Sequence, residues 1–481
     1  MNSPDQEFGL LATSRYVPRL RLERSEVYAQ NKWMAPGLRS LAKGRRAMAN
    51  WDEDAVTMAV EAARSILGST TASRPTHLTL ASTTLPFADR LNAGIVAGAL
   101  GLSSNTTARD VASSMRAATI ELRDALERPE PRCRLIVASE LRSTKPASAQ
   151  ELVVGHGAAA VLIGVGKPVA IFACAVSVQA DFIDHFRETG QAHDYAWEER
   201  WVREQGYMTI AVDAIRACIA KAGVQPTDIA HFAMPAPLAK VNEAVAKRVG
   251  IAATALVATA AESVGDIGCA QPLAMLDTAV RAAQAGALIL VVSFGSGCDA
   301  ILLKRTSHAC AGSEPDPGVS EPSYLKFLSF TGALSPEWGM RAEMDTKTAL
   351  TAAWRDHERI AHFEGGRCRV CATVQFPAGR LCVKPGCRAQ DSLDPTSLAE
   401  APARVMSHTS DFLAYTPHPP FQFGQVDFEG GGRVMMEFAD TADGELAVGL
   451  PLRMVYRIKE FDSKRGFRRY FWKATPVRPI V

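Results

Sequence analysis

Net charge is nearly absent from this chain of 481 residues: 53 Lys and Arg stand against 51 Asp and Glu, a formal +2. So close a balance gives no whole-chain attraction for nucleic acid or for an anionic membrane surface. Long apolar runs are missing too, and none reaches the ~20 residues that a membrane-crossing helix needs. The first residues, MNSPDQEFGLLATSRY, lack the basic-then-apolar layout of a secretory leader. A cytoplasmic protein is therefore expected, with its thiols kept reduced. Cysteine is sparse, 10 residues in all, and six of them are scattered singly. What the chain does have is apolar content, 47% hydrophobic residues. That is ample for a core, and the length suits roughly two to four domains.

Residues 1–305 alternate short β-rich runs with Ala-rich helical patterns. HLTLAST, RLIVASE, AAAVLIGV, VAIFACAVSV and ALILVVSFGSG read as buried strands. WDEDAVTMAVEAARSILG, MTIAVDAIRACIAKAG and LAKVNEAVAKRVG read as amphipathic helices. Such alternation predicts an α/β fold with helices outside sheets. GHGAAAVLIG near 155–164 and SFGSGCDAILL near 293–303 are similar strand-and-turn units, as an internal duplication would give. Residues 306–322, TSHACAGSEPDPGVSEP, are polar and rich in Pro and Gly, marking a linker. A helix is expected over 346–362, ending at His362. From about 395 onward, RVMMEFA, LRMVYRIKEF and FRRYFWKATPV alternate as in a small antiparallel barrel of the OB type. KRGFRRYFWK interleaves basic and aromatic residues. A strand with one wet face explains that stretch, and no nucleic-acid partner is expected.

The four remaining cysteines, Cys368, Cys371, Cys382 and Cys387, read CRVC, ten residues, then CVKPGC. Two short knuckles can hold one tetrahedral Zn2+ by four thiolates, and Phe376, Pro377 and Gly379 between them suit a ribbon hairpin. Two disulfides, or free thiols in a loop, are the alternatives. Four thiolates would leave the metal no open position, so it would hold structure and do no chemistry.

Several segments together resemble the thiolase superfamily, in its 3-hydroxy-3-methylglutaryl-CoA (HMG-CoA) synthase and ketoacyl synthase III branch. They are YVPRLRL at 16–22, GRRAMANWDEDAVTMAVEAAR at 44–64, KPASAQELVVGHGAAAVLIG at 145–164, ESVGDIGCAQPLAMLDTAV at 262–280 and LVVSFGSGCDA at 290–300. The stretch from Asp181 through HDYAWEERWVREQGYM matches the middle region of that branch. YLKFLSFTGAL and GGRCRVCATVQFP are similar to the zinc-ribbon and OB-fold proteins that accompany acyl-CoA thiolases. The second knuckle departs from them, with four spacer residues where two are usual. The resemblance implies a layered α-β-α-β-α thiolase-like domain with duplicated halves over 1–305, then a linker and docking segment over 306–345. A helix and zinc ribbon over 346–394 and an OB-fold barrel over 395–481 complete it.

The family's chemistry needs a cysteine thiolate at a helix N-terminus, a histidine and asparagine at the carbonyl, and a glutamate for the second substrate's proton. The matching positions hold other residues. Met115 stands in the cysteine's place, Ala233 in the histidine's, Thr83 in the glutamate's and Asp266 in the asparagine's. A thioether cannot form the acyl thioester, and an ionised carboxylate opposes an oxyanion. Ser114, Cys269 and Cys298 are the remaining nucleophile candidates, and His231 lies two residues before Ala233. Buried small hydrophobes and a strand-end histidine are the plainer readings. Arg45, Arg46, Lys240 and Lys247 are candidates for the CoA phosphates, though solvated helix faces explain them equally. His156 reads as structural.

By this resemblance the chain is a homodimer whose partner is a separate, catalytically complete thiolase. It would serve there as a degenerate subunit in making or breaking carbon–carbon bonds of acyl-CoA. A self-sufficient acyltransferase with unorthodox residues and an acyl-CoA-binding sensor are the alternatives. Zn2+ and acyl-CoA are the ligands expected.

Overall fold

The computed structural model describes residues 7–68, 74–112, 114–310, 316–337 and 348–478. Parts of the expected linker and docking segment, 311–315 and 338–345, lie outside them. The chain divides into two compact units. One comprises Met1–Ala49, Asp54–Ala97 and Leu102–Phe327, and the other Asn50–Glu53, Gly98–Gly101 and Leu328–Val481.

The first unit is built on nine strands, and its two halves repeat one plan. Strand Glu7–Tyr16 pairs antiparallel with Gly157–Gly166, which pairs antiparallel with Arg134–Glu140. Parallel His77–Ala81 and Thr107–Val111 then follow. In the second half Ala170–Gln179 pairs antiparallel with Gly297–Arg305, and that strand with Leu288–Phe294. Ile229–Ala233 follows in parallel, and a parallel bridge from Phe232 to Leu256 stands where a fifth strand would. The halves join where Leu10 pairs with Ala170. This order carries the duplication that the two similar segments suggested.

Helices Ala117–Glu127 and Gln271–Ala282 pack on each other and on strands of both halves. Helix Ala55–Leu67 covers the first half and Val212–Ala222 the second. The inner strands are therefore covered on both faces, which is why GAAAVLIG runs apolar without alternating. Its alanines, with Ala117, Ala118 and Ala279, are fully buried and let helix and sheet approach closely. Helix Ala55–Leu67 starts sharply because Asp54 accepts from the amides of Val56 and Thr57 while Thr57 caps in return. The segment expected as one helix from Met208 instead runs as a π-helix, Val202–Ala211, into Val212–Ala222. Gly206 lies in that wide turn, where a Cβ would come within 2.8 Å of the Phe294 ring.

The expected boundary at 305 moves to Phe327. Val319–Glu321 pairs with Leu20–Leu22, and the Tyr324 hydroxyl donates to Glu151 at 3.0 Å. Phe327 is buried beneath the Arg46 guanidinium, 4.6 Å from its ring centre.

In the second unit the helix expected over 346–362 is two short ones, Leu350–Arg355 and His357–Ala361, broken at Asp356. Residues 346 and 347 lie outside the described residues. A three-stranded sheet, Val374–Gln375, Glu364–Cys368 and Leu393–Ser397, carries the cysteines. Five antiparallel strands follow in the order Arg433–Glu437, Phe421–Phe428, Ala403–Asp411, Pro451–Asp462 and Phe467–Pro476. A parallel bridge from Phe438 to Ala474 brings the two outer strands together. Strand Phe421–Phe428 buries alternate residues, as a strand with one wet face must. No helix among the described residues is long and apolar enough to cross a membrane.

Candidate functional site

In open α/β sheets, ligands meet the carboxyl ends of the parallel strands. Here those ends are Ser82–Thr84 after His77–Ala81, Met115 after Thr107–Val111 and Glu140 closing Arg134–Glu140. Met115 immediately precedes the N-cap of the central helix Ala117–Glu127, the position from which a helix dipole would favour a thiolate. Its side chain is half-buried and packs so closely on the turn after Phe294 that a Cβ on Gly295 would lie 3.2 Å from its own. The next residue, Arg116, is buried and pins that turn: Nε donates to Gly295 O at 2.8 Å and Nη1 to Asp299 at 3.0 Å. Ser114 Oγ accepts from the Arg116 amide at 3.0 Å and donates to Gly295 O at 3.4 Å. Among the described residues no histidine or carboxylate hydrogen-bonds to it, so none of them would draw off its proton.

Thr83 lies against a carboxylate that arrives from the neighbouring strand. Glu140, fully buried, accepts from Thr83 N at 2.8 Å, Thr83 Oγ1 at 3.1 Å and Thr84 Oγ1 at 2.8 Å. Gly268, at φ +59°, makes room for it, since a Cβ there would meet Glu140 Cγ at 2.9 Å. Asp266 does not stand alone either. Its Oδ1 accepts from Gly268 N at 3.0 Å, and its Oδ2 is 3.6 Å from Arg142. Arg142 also pairs with Asp194 at 2.6 Å, and Asp194 with Arg187 at 2.8 Å. Arg187 donates in turn to Thr83 O. The charge expected to oppose an oxyanion is thus met by a guanidinium. Burial weakens the Arg142 charge, but Asp266 and Asp194 outweigh it and hold the group protonated. Burial pushes the Asp194 carboxyl up, and Arg142 and Arg187 more than reverse that.

Arg187 and Asp194 belong to a hairpin whose strands are His185–Phe186 and Tyr195–Ala196. The outer side of this segment is aromatic: Phe186, Tyr195, Trp197 and Trp201 are about half exposed. Behind it Tyr207 is buried against Phe294, ring centres 4.6 Å apart. Its hydroxyl is raised well above the usual phenol range by burial, then by Asp184 and Asp266.

The folded Asp194 carboxyl is depressed, so its contribution is complete above the unfolded carboxyl range, about pH 4, and fades as pH falls through the folded value. Asp194→Asn is expected to speed amide exchange of residues 185–196 at neutral pH by roughly 10- to 100-fold, the effect of losing a charged hydrogen bond. Wild type should show that acceleration only in acid. Equal protection in both proteins at pH 7 would remove Asp194 from this role.

The other candidates are not poised for such chemistry. Cys269 is buried, its thiol donating to Ala81 O at 3.4 Å, and burial with Glu140 beside it pushes the thiol well up. Cys298 faces the outer core of the second half with Cys174 and Cys218, where burial raises it too. Neither is poised as a thiolate. His231 is half-buried on its strand, and burial lowers its pKa. Ala233 is fully buried at the end of that strand. His156 accepts from Ala49 N at 3.0 Å, and burial and Arg46 lower it to about 3, a neutral structural residue. Arg46 is fully buried, donating to Glu151 O at 2.6 Å, so no ligand phosphate at the surface reaches it. Arg45 is half-buried, while Lys240 and Lys247 are exposed, on a left-handed turn residue and on helix Val241–Val249.

The cysteine quartet is brought together. The four sulfurs lie within 4.8 Å of one another, with Cys371 and Cys382 3.5 Å apart and Cys368 and Cys387 3.8 Å apart. A Zn–S bond of 2.3 Å at tetrahedral angles demands a sulfur spacing of about 3.8 Å. Ala372 and Arg388, which follow the second cysteine of each knuckle, both take the left-handed conformation, at φ 59° and 50°. No disulfide is present. The four thiols therefore suit a closed tetrahedral metal site, despite the longer second knuckle.

Glu140, Arg142, Arg187, Asp194 and Tyr207 were not singled out in the sequence. A charged residue closing an apolar parallel strand, RLIVASE, was a usable signal for Glu140. Arg187, Asp194 and Tyr207 lie in the quoted stretch from Asp181 to Met208, but no spacing within it marked them, and nothing local marked Arg142.

Residues 219–304 match the model of the 3-oxoacyl-[acyl-carrier-protein] synthase III C-terminal family. Among curated proteins, the hydroxymethylglutaryl-CoA synthase of Aeropyrum pernix is 26% identical over 302 residues, covering 61% of this chain and 83% of its own length. That of Pyrococcus furiosus is 25% identical, with 61% and 85% covered. Among solved structures, MvaS in complex with 3-hydroxy-3-methylglutaryl coenzyme A superposes with a TM-score of 0.56 at 17% identity, over 70% of this chain and 95% of that one. 3-Oxoacyl-(acyl carrier protein) synthase III from Pseudomonas aeruginosa gives 0.55 at 19%, over 63% and 98%. The mixed α/β part of the chain has the thiolase-like fold of HMG-CoA synthases and ketoacyl synthase III.

Proposed function

We propose that this chain is a catalytically degenerate HMG-CoA-synthase-like subunit of a thiolase-type assembly that makes or cleaves carbon–carbon bonds of acyl-CoA substrates. One observation carries the reading: Met115 occupies the helix N-terminus where the thiolate belongs, and Ser114, Cys269 and Cys298 each lack what a replacement would need. The exposed aromatic hairpin over 185–201 supports a protein partner, since a patch of that kind is normally covered. In the assembly the chain is a homodimer beside a separate, catalytically complete thiolase. The cysteine quartet is a zinc ribbon, and the strand order with its Phe438–Ala474 closure suits an OB-fold. This module would meet the partner. Acyl-CoA is the ligand class, by likeness to relatives whose structures hold CoA compounds.

Incubating the purified chain with acetyl-CoA and acetoacetyl-CoA, followed by intact-mass and peptide mass spectrometry, tests it. No covalent acyl group and no turnover are expected, while addition of the partner thiolase should produce activity. An acyl group on Ser114, Cys269 or Cys298 would overturn the reading. It would favour a self-sufficient acyltransferase, for which Glu140 and Tyr207 in the site are the supporting observation.

A further inference from the structure

Two surfaces of the chain hold apolar side chains out in water, and their charges are of opposite sign. The first is the hairpin over 185–201. Phe186 and Tyr195 pair across its strands with ring centres 5.2 Å apart, and the Trp197 ring follows 6.4 Å from Tyr195. Each ring is about half exposed, so the three together offer roughly 300 Å2 of apolar surface. Asp181, Glu188, Glu198 and Glu199 along this segment are exposed, and among the described residues no ion pair holds them. The nearby arginines are engaged: Arg187 with Asp194, Arg200 with Glu204, and Arg203 with Ala239 O. The second surface is the tip of the cysteine ribbon. Val370 stands inside the first knuckle, Leu381 and Val383 flank Cys382 in the second, and all three are more than half exposed. The sulfurs of Cys371 and Cys382 are 3.5 Å apart, so the two knuckles adjoin. Arg367, Lys384 and Arg388 are exposed here without an ion pair among the described residues, whereas Asp391 and Asp394 are already paired with Arg380 and Arg369.

An exposed apolar patch rimmed by charge marks a protein contact. Two hairpins set face to face would oppose like charges, and the same carboxylates repel nucleic acid and anionic lipid. The ribbon tip answers both properties of the hairpin, being apolar where the hairpin is aromatic and basic where it is acidic. We infer that in a dimer the ribbon tip of one copy packs on the aromatic hairpin of its partner. Two-fold symmetry makes this contact twice. Two hairpin patches and the ribbon surface facing them come to roughly 1,200 Å2, which reaches the range of stable interfaces. The aromatic rings anchor the contact, and the rim charges set its orientation and rate. The inference rests on the homodimer proposed above and involves no residue of the Met115 site.

Sedimentation equilibrium of the full-length, metal-loaded chain tests it. The wild type is expected to dimerise, with an affinity that falls as salt rises. Trp197→Asp should weaken the dimer by about tenfold or more. Glu198→Lys with Glu199→Lys should weaken it by a similar factor, as should Lys384→Glu with Arg388→Glu, and the chain carrying all four changes should regain most of the lost affinity. Carbodiimide treatment of a mixture of isotopically heavy and light chains should join Glu198 or Glu199 to Lys384 in peptide pairs that combine both labels. Metal content and circular dichroism show whether each variant is folded. A monomeric wild type would overturn both this inference and the homodimer. A dimer indifferent to Trp197→Asp and to the charge reversals, or cross-links confined to single chains, would overturn this inference alone.

Discussion

Cys371→Ser is expected to abolish stoichiometric zinc binding, taking a purified chain from about one zinc to none, and to unfold the ribbon. The sulfurs already stand near metal spacing, 3.5 and 3.8 Å in two of the pairs and all within 4.8 Å, so loading requires little rearrangement. The ribbon sheet has only a few strand residues, and Val374 and Cys368 are among its few buried apolar side chains. A segment this size would depend on a metal held there, since structural zinc in small domains contributes on the order of 10 kcal/mol or more. Elemental analysis, thiol titration and amide exchange of 364–397 follow the change. Chelation of the wild type should release four titratable thiols and give the same exchange pattern. It should also abolish association with the thiolase before the first unit unfolds. A wild-type chain that binds no metal, or a ribbon equally protected with and without it, would return the quartet to a plain loop.

Arg457→Met is expected to cost roughly 3–5 kcal/mol of the second unit's stability, the range for removing one partner of a buried ion pair. Arg457 is fully buried. Its guanidinium lies 2.9 Å from Glu53, 2.6 Å from Asp440 and 3.7 Å from Asp52, residues of the same unit. Without it the buried carboxylates of Glu53 and Asp440 lose their guanidinium, while Asp52 keeps Lys473 at 2.9 Å. Burial raises the Asp440 carboxyl, and Arg457 more than offsets this, so the folded pKa is depressed. Glu437 is depressed in the same way by Lys473 and Lys459. Depressed carboxyls stabilise above the unfolded range, about pH 4, and lose that contribution as pH falls through their folded values. The wild type should therefore weaken in acid. In Arg457→Met the carboxyls can protonate sooner, so the deficit should narrow between pH 7 and about pH 4. Urea unfolding at several pH values reads both. A deficit that is small, or that does not change with pH, would mean the network is not electrostatically coupled.

Legibility in the sequence differed from part to part. The strands RLIVASE, AAAVLIGV and ALILVVSF could be placed because burial on both faces forces continuous apolar runs. The cysteine quartet was legible because two closely spaced pairs on neighbouring turns bring four thiols together. Thr83, Met115, Ala233 and Asp266 could be singled out because the segments around them resemble known motifs. The break at Asp356 and the π-helix through Gly206 were not, because helical periodicity does not report a local change of turn.

Sequence alone thus determined the α/β class and the gathering of four cysteines, both carried by local pattern. Only the tertiary structure decided what surrounds Thr83, Met115 and Asp266. Glu140 reaches Thr83 across 57 residues of chain, Arg142 reaches Asp194 across 52, and Arg116 reaches Asp299 across 183. Each pair is made by strands and turns that meet only when the sheet is assembled. Charged residues carry no local pattern that announces which distant partner will neutralise them, so burial and pairing had to be read from the fold.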